Sequence, residues 1–298
     1  MSAAALPAWL PLILLSAFGL GFYDLCKKHA VRDNPIMPVL FLTTLSGSLF
    51  FVLGTAAAGQ FPAMLHCPPH YLLLIFAKSL LVAASWNCVY YAMRELPISI
   101  VAPVRATAPL WTFLGSLILF HEIPTLWQGV AMLVIFTGYY LFSVIGKQEG
   151  ISFLHHRGAH MVLLGTLLGS VSALYDKYLL GTVGMPRVLM QFHFSVDLVL
   201  ILGIAWLVRT RLRKSSRTFS WRWSIPLTGI LLIAADWLYF YALSLPDTQI
   251  SILSLLRRCS CVVTFAFGSL YFRDKNIKVK AAALSAILAG VVILAFFK

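Results

Sequence analysis

Two adjacent arginines stand inside an apolar run, Ile252-Leu253-Ser254-Leu255-Leu256-Arg257-Arg258-Cys259-Ser260-Cys261. A guanidinium fork matches carboxylate or phosphate oxygens in two parallel hydrogen bonds, so this pair is a candidate anion site. Neighbours on a helix point about 100° apart. One arginine facing a solute therefore leaves the other to pair with an acid such as Asp236; the alternative is that both serve internal ion pairs only. Lys78 and Arg105, also set in apolar runs, would complete a basic cavity.

The acids raise a second chemistry. Asp24 sits in Phe22-Tyr23-Asp24-Leu25-Cys26-Lys27-Lys28-His29, and Asp176 in Ala173-Leu174-Tyr175-Asp176-Lys177-Tyr178. Asp24 precedes Lys27 and Lys28 by three and four residues, the spacing of charges on one helix face. A boundary ion pair and a gating or proton-carrying carboxylate are the two readings. Asp176 adjoins a lysine that points elsewhere, so its partner belongs on another helix. The polar run Gln191, His193, Ser195, Asp197 adds a proton carrier in Asp197 and, in His193, either a group titrating near neutrality or a helix-to-helix hydrogen bond. Aromatics recur at i,i+4 spacing beside these charges: Trp237 and Tyr241 next to Asp236, and Trp86-Asn87 followed by Tyr90-Tyr91. They could box a ring or an ammonium group, or simply pack the bundle. Trp86, Asn87, Tyr91, Trp237 and Tyr241 join the solute-binding candidates.

Enzymatic chemistry finds little support. No nucleophile stands with a matching base, and no cofactor motif occurs. Cys259-Ser260-Cys261 lacks a second ligand pair, and His155-His156-x-x-x-His160 reads as solvated linker rather than metal site. No metal, cofactor or disulfide framework is expected, and the protein is read as a non-enzyme.

What must position these groups follows from composition. The chain of 298 residues is 60% hydrophobic and 11% charged, against about 25% charged in soluble domains; its mean hydropathy is +0.87. Lipid is the solvent for most of it. The net charge of +13 resides mainly between apolar runs, so it orients the chain in a membrane and does not indicate nucleic acid. A span needs about 20 apolar residues. Ten fit: 8–29, 36–58, 70–93, 98–120, 125–146, 159–180, 187–208, 223–245, 249–271 and 278–297. Leu6 to Lys27 reads as a first span rather than a cleaved signal, because no basic segment precedes it. Helices alone satisfy the backbone in lipid here, since no barrel-like alternation appears.

The chain repeats itself. Tyr23-Asp24 matches Tyr175-Asp176 at an offset of 152 by subtraction, as do Arg105 with Arg257, Glu122 with Asp274, and Gly138 with Gly290. The segment 90–97 (YYAMRELP) resembles 240–246 (FYALSLP) with a small gap. Five helices per copy is odd, so the second copy enters from the opposite side, the inverted-repeat plan of many secondary transporters. The expected fold is an all-α membrane protein of ten transmembrane helices, with repeats at 1–146 and 159–298 and a linker at 147–158.

In this order and duplication the chain resembles the drug/metabolite transporter superfamily, in the form of two EamA-type five-helix repeats. The residues that carry the resemblance are Gly19, Gly21 and Lys28 of the first helix, and the Ala173-Leu174-Tyr175 opening. To these add the Tyr-Ala…Leu-Pro segments at 90–97 and 240–246, Glu122, and Gly138 with its copy Gly290. The resemblance implies secondary transport of a small organic solute across the cytoplasmic (inner) membrane without ATP hydrolysis. Sugar-phosphate transporters of the superfamily are similar in carrying a basic pair on the ninth helix.

Basic residues set orientation. Lys27, Lys28, Arg32, Arg94, Lys147, Arg157, the six bases from Arg209 to Arg222, and Arg273, Lys275, Lys278 and Lys280 all follow odd-numbered spans. Only Arg187 and Lys298 lie on the other side, which puts both termini outside, whereas the family norm is inside. The expected partners are the solute and membrane lipid. A monomer suffices and a dimer is compatible. The leading function is alternating-access transport of an anionic or zwitterionic metabolite, proton-coupled or by exchange. The alternatives are a proton-coupled exporter of hydrophobic cations, centred on Asp24 or Asp236, and a non-transporting membrane enzyme or scaffold.

Overall fold

A computed structural model describes residues 7–31, 34–95, 104–105, 107–144, 157–212, 218–246 and 248–260, with isolated positions 263, 267, 285, 286, 288–290, 292 and 293. Among the described residues the chain forms helices and no strands. They are α1 Trp9–Val31, α2 Ile36–Ala57, α3 Phe61–Leu65, α4 Pro69–Glu95, α5 Ala108–Leu119, α6 Leu126–Val144, α7 Arg157–Lys177, α8 Arg187–Leu212, α9 Ser224–Ser244 and α10 Ile250–Arg257. A π-helical turn, Tyr178–Thr182, extends α7.

Among the described residues six helices are long and apolar enough to cross a membrane: α1, α2, α4, α7 with its π turn, α8 and α9. The helices α5 and α6 are apolar too, over shorter stretches. Their outer faces carry bare large side chains such as Leu53, Leu73, Leu133, Leu200 and Ile204, a surface that lipid rather than water solvates. Most of the expected span 278–297, most of 261–271 and Asp274 lie outside the described residues. The span expected from residue 98 shows a regular helix from Ala108, with Pro109 in its first turn. There a proline removes no helical hydrogen bond, so Pro109 starts this helix instead of breaking it.

Successive helices alternate direction. One face of the bundle gathers the ends of α1, α4, α6 and α8 and the starts of α2, α5, α7 and α9; among the described residues Arg157, Arg209, Arg211 and Arg222 make it the basic face. The opposite face holds α3, His121, Glu122, Gly184 and the turn before α10. On the basic face the chain is tied down. Asn34 Nδ2 donates to the Ala30 and Ser220 carbonyls at 3.0 and 2.9 Å, and Arg222 donates to the His29 carbonyl at 2.5 Å.

Packing joins the front of the chain to its back. The main partners are α1 with α9 and α4 with α7; α2 lies across α9 and α8, and α5 touches both α7 and α10. The helix α8 also touches α4, and α10 touches α1, so exchanging α1 with α7, α2 with α8, α4 with α9 and α5 with α10 preserves this set of contacts, as an inverted repeat requires. Small residues permit the approach. A Cβ on Gly47 would fall 2.6 Å from the Gly229 carbonyl oxygen, and one on Gly165 would fall 3.0 Å from that of Ser85. Gly54, by contrast, has nothing within 4 Å of such an atom.

Candidate solute site

Side chains from α1, α4, α5, α7, α9 and α10, with Phe194 of α8, surround a central cavity of about 250 Å3. Its deep end is a chain of charges. Lys78 on α4 lies 3.0 Å from Asp176 on α7, both side chains almost fully buried. Two aromatic rings flank the ammonium, with centroids 3.3 Å (Phe194) and 5.0 Å (Phe240) away. Next to this pair, Arg257 on α10 donates through Nη2 to Asp236 on α9. Its guanidinium lies 4.2 Å from the ring centroid of Tyr239, which stands between the two pairs with Asp176 and Asp236 both near it. An ammonium 1% exposed has no water to stabilise it, so Asp176 and the two ring faces take that role.

Toward the basic face the cavity is bounded by Tyr23, Asp24 and Lys27 of α1, Trp86 and Tyr90 of α4, and Arg105 just before α5. Lys27 extends between two rings, 4.8 Å from that of Tyr90 and 5.2 Å from that of Tyr23. Arg258 and Ser260 complete this side. One wall is hydroxyl-rich. Ser85 donates to the Gly165 carbonyl at 2.7 Å, Ser170 to that of Ala108 at 3.0 Å, and Ser254 to Thr112 Oγ1 at 3.3 Å. Hydroxyls that have spent their proton on a neighbour still present oxygen lone pairs.

Eight residues singled out from the sequence thus line one cavity: Lys78, Arg105, Arg257, Arg258, Asp236, Trp86, Asp24 and Asp176. Six others lie elsewhere. Trp237 and Tyr241 stack near Arg187, 5.9 and 3.9 Å from its guanidinium. Asn87 bonds back to the Ala83 carbonyl, and Tyr91 lies beneath Arg157. Asp197 accepts from Ser79 Oγ at 3.4 Å, while His193 Nε2 meets the Met64 carbonyl at 2.9 Å.

The reason is helical phase. Trp86 and Tyr90 share the inward stripe, so Asn87 and Tyr91, one residue on, leave it. Asp236, Tyr239 and Phe240 turn inward, so Trp237 and Tyr241 turn away. The partner of Asp176 is Lys78, on another helix as its spacing required. The side chain of Lys28, the expected i+4 partner of Asp24, lies outside the described residues.

Lys27, Tyr23, Tyr90, Tyr239, Phe194 and Phe240 also line the cavity, though none of them was among the site candidates. The Tyr23–Lys27 and Trp86–Tyr90 spacings carried that signal, while Phe194 had none. Among the described residues no three His, Cys, Asp or Glu side chains gather as a metal site.

No curated protein matches the sequence. A solved structure described as "Crystal structure of protein" superposes with a TM-score of 0.76 over 96% of this chain and 97% of that one, at 14% identity, a likeness of fold alone. Residues 7–144 match the model of the EamA-like transporter family. Through residues 7–144 this multi-pass membrane protein is similar to the EamA-like transporter family, which lies within the drug/metabolite transporter superfamily.

Proposed function

We propose that this transporter moves a small metabolite bearing an anionic group, by alternating access through the central cavity. The observation that carries the reading is the charge of the lining: Lys27, Lys78, Arg105, Arg257 and Arg258 against Asp24, Asp176 and Asp236. A lining with more bases than acids repels a hydrophobic cation, which disfavours the cation-exporter reading. The volume, about 250 Å3, lies below the ~300–1,000 Å3 of sites for drug-sized ligands, so the solute is small. Arg257 and Arg258, with Arg105 and Lys27, hold its anionic group, and the hydroxyl wall accepts from its donors. Asp176 and Asp236 hold Lys78 and Arg257 in place, and a proton or a second solute molecule that displaces either acid couples the cycle. Transport of this kind makes and breaks no covalent bond, so the protein acts as a carrier rather than an enzyme.

The contact pattern supports repeats at 1–146 and 159–298 with a linker at 147–158, and one chain supplies a whole cavity. The basic loops support a cytoplasmic-membrane location with the basic face in the cytoplasm and both termini outside. Cysteine labelling at Thr218 tests the orientation: labelling by an impermeant reagent from outside the cell reverses it. A thermal-shift screen in detergent tests the solute class, with phosphorylated sugars, nucleotides, amino acids, other carboxylates and quaternary ammonium compounds. Stabilisation by an anion, lost in Arg257→Gln, supports the reading; stabilisation by lipophilic cations alone overturns it.

A further inference from the structure

Glu122 follows α5 on the opposite face, where His121 adopts φ 53, a left-handed conformation that few non-glycine residues enter. The glutamate side chain is only 9% exposed. Its carboxylate reaches the first residues of α10, accepting from the amide of Ile250 at 3.1 Å, the amide of Ser251 at 3.5 Å and the Ser251 hydroxyl at 3.3 Å. Gln249, the residue that caps α10, makes no capping bond with its own side chain. The orphan amides at the start of α10 are therefore satisfied by an acid from the segment after α5, where a negative charge also suits the helix dipole. Lys177, at the end of α7, completes the cluster. Its ammonium lies 4.0 Å from Glu122 and donates to the Thr248 carbonyl just before α10.

The cluster clasps α5, α7 and α10 at one level. Ser254, one turn further along α10, already lines the cavity, and Arg257 follows at the deep end. The sequence carries the capping set twice. Ile98-Ser99 stand 152 residues before Ile250-Ser251, and Asp274 stands 152 residues after Glu122; all three lie outside the described residues. That recurrence marks the set as part of the repeated unit rather than an isolated cap.

We propose that Glu122 is the gating residue of the opposite face: its bonds to α10 hold the cavity closed on that side, and their release lets the start of α10 swing away and expose the site. Glu122 touches no solute; it acts through the position of α10. The inference rests on alternating access through the cavity.

The test uses the full chain in membranes, with its native cysteines replaced, and a single reporter, Ser254→Cys. A second protein with only His121→Cys marks the opposite face. An impermeant thiol reagent is applied from that face. Glu122→Gln, which keeps size and loses charge, is expected to raise reporter labelling about tenfold, the scale of one or two charge-assisted hydrogen bonds. Ser251→Ala, a milder change, is expected to raise it about threefold, and Glu122→Asp falls between wild type and Glu122→Gln. Equal labelling in all variants overturns the gate. A parallel rise in labelling from both faces with a fall in Tm also overturns it, since the acid would then only stabilise the fold. Anion thermal shifts are measured on the same proteins. Their absence in every variant counts against the anion reading, whichever way the labelling falls.

Discussion

The Lys78 ammonium faces the Asp176 carboxylate at 3.0 Å, joining α4 to α7 at the centre of the bundle. Both side chains are almost fully buried, so each compensates the other's charge. Removing one alone leaves an uncompensated charge, at a cost of about 3–5 kcal/mol, whereas an apolar pair of similar volume is often neutral. Lys78→Met is therefore expected to lower Tm in detergent sharply. Lys78→Met with Asp176→Leu is expected to recover most of the loss while remaining unable to transport. Unfolding monitored by tryptophan fluorescence, paired with a flux assay, checks both halves.

The Lys27 ammonium between Tyr23 and Tyr90 adds one positive charge to the end of the cavity toward the basic face. Lys27→Gln is expected to weaken an anionic ligand several-fold, as loss of a partly solvated charge does. Tyr90→Phe keeps the ring and is expected to match wild type, while Tyr90→Leu loses a contact of about 0.5–1 kcal/mol. Ligand titrations followed by thermal shift separate the three.

His193 and Asp197 bond away from the cavity, as do Trp237 and Tyr241. His193→Asn, Asp197→Asn, Trp237→Phe and Tyr241→Phe are expected to leave ligand affinity within about twofold of wild type, the ±0.5 kcal/mol usual away from special sites. A tenfold loss in any of them would move the site to the outer side of α8 or α9.

Gly229 has the backbone of Thr43 and Gly47 where a Cβ would go. Gly229→Ala must push α9 off α2, and overpacking of this kind costs about 1–3 kcal/mol. Gly54→Ala meets open space and is expected to be neutral or mildly stabilising. Comparing the two Tm values isolates the helix contact from helix propensity.

Most of the architecture was legible because lipid leaves the backbone few choices. The spans at 8–29, 36–58, 187–208 and 223–245 reappear as α1, α2, α8 and α9 within a few residues of their expected ends. The short α3 and the π turn after Lys177 were not legible. The first is below the length that periodicity reports, and the second depends on how Leu179 and Leu180 bury. For the lining of the cavity, charge was a better guide than aromaticity. A charge deep in an apolar run must find a partner or face a cavity, so Lys78, Arg257, Asp176 and Asp236 could be placed by cost alone. Aromatics carry no such penalty for facing lipid or a neighbouring helix. Their choice between stripes therefore rested on phase, and one residue of phase put Asn87 and Tyr241 on the wrong wall.

The cross-chain pairing of α1 with α9 and α4 with α7 has a consequence for assembly. Each half of the molecule keeps its closest companions in the other half, so the chain is built like two subunits fused end to end. Alone, a front half would present the surfaces meant for α9 and α7 to lipid, including the lysine that answers Asp176. Severed fragments can rebuild the molecule only if they enter the bilayer pointing opposite ways, and the tether's role is to guarantee that handedness of insertion and a one-to-one supply of the parts.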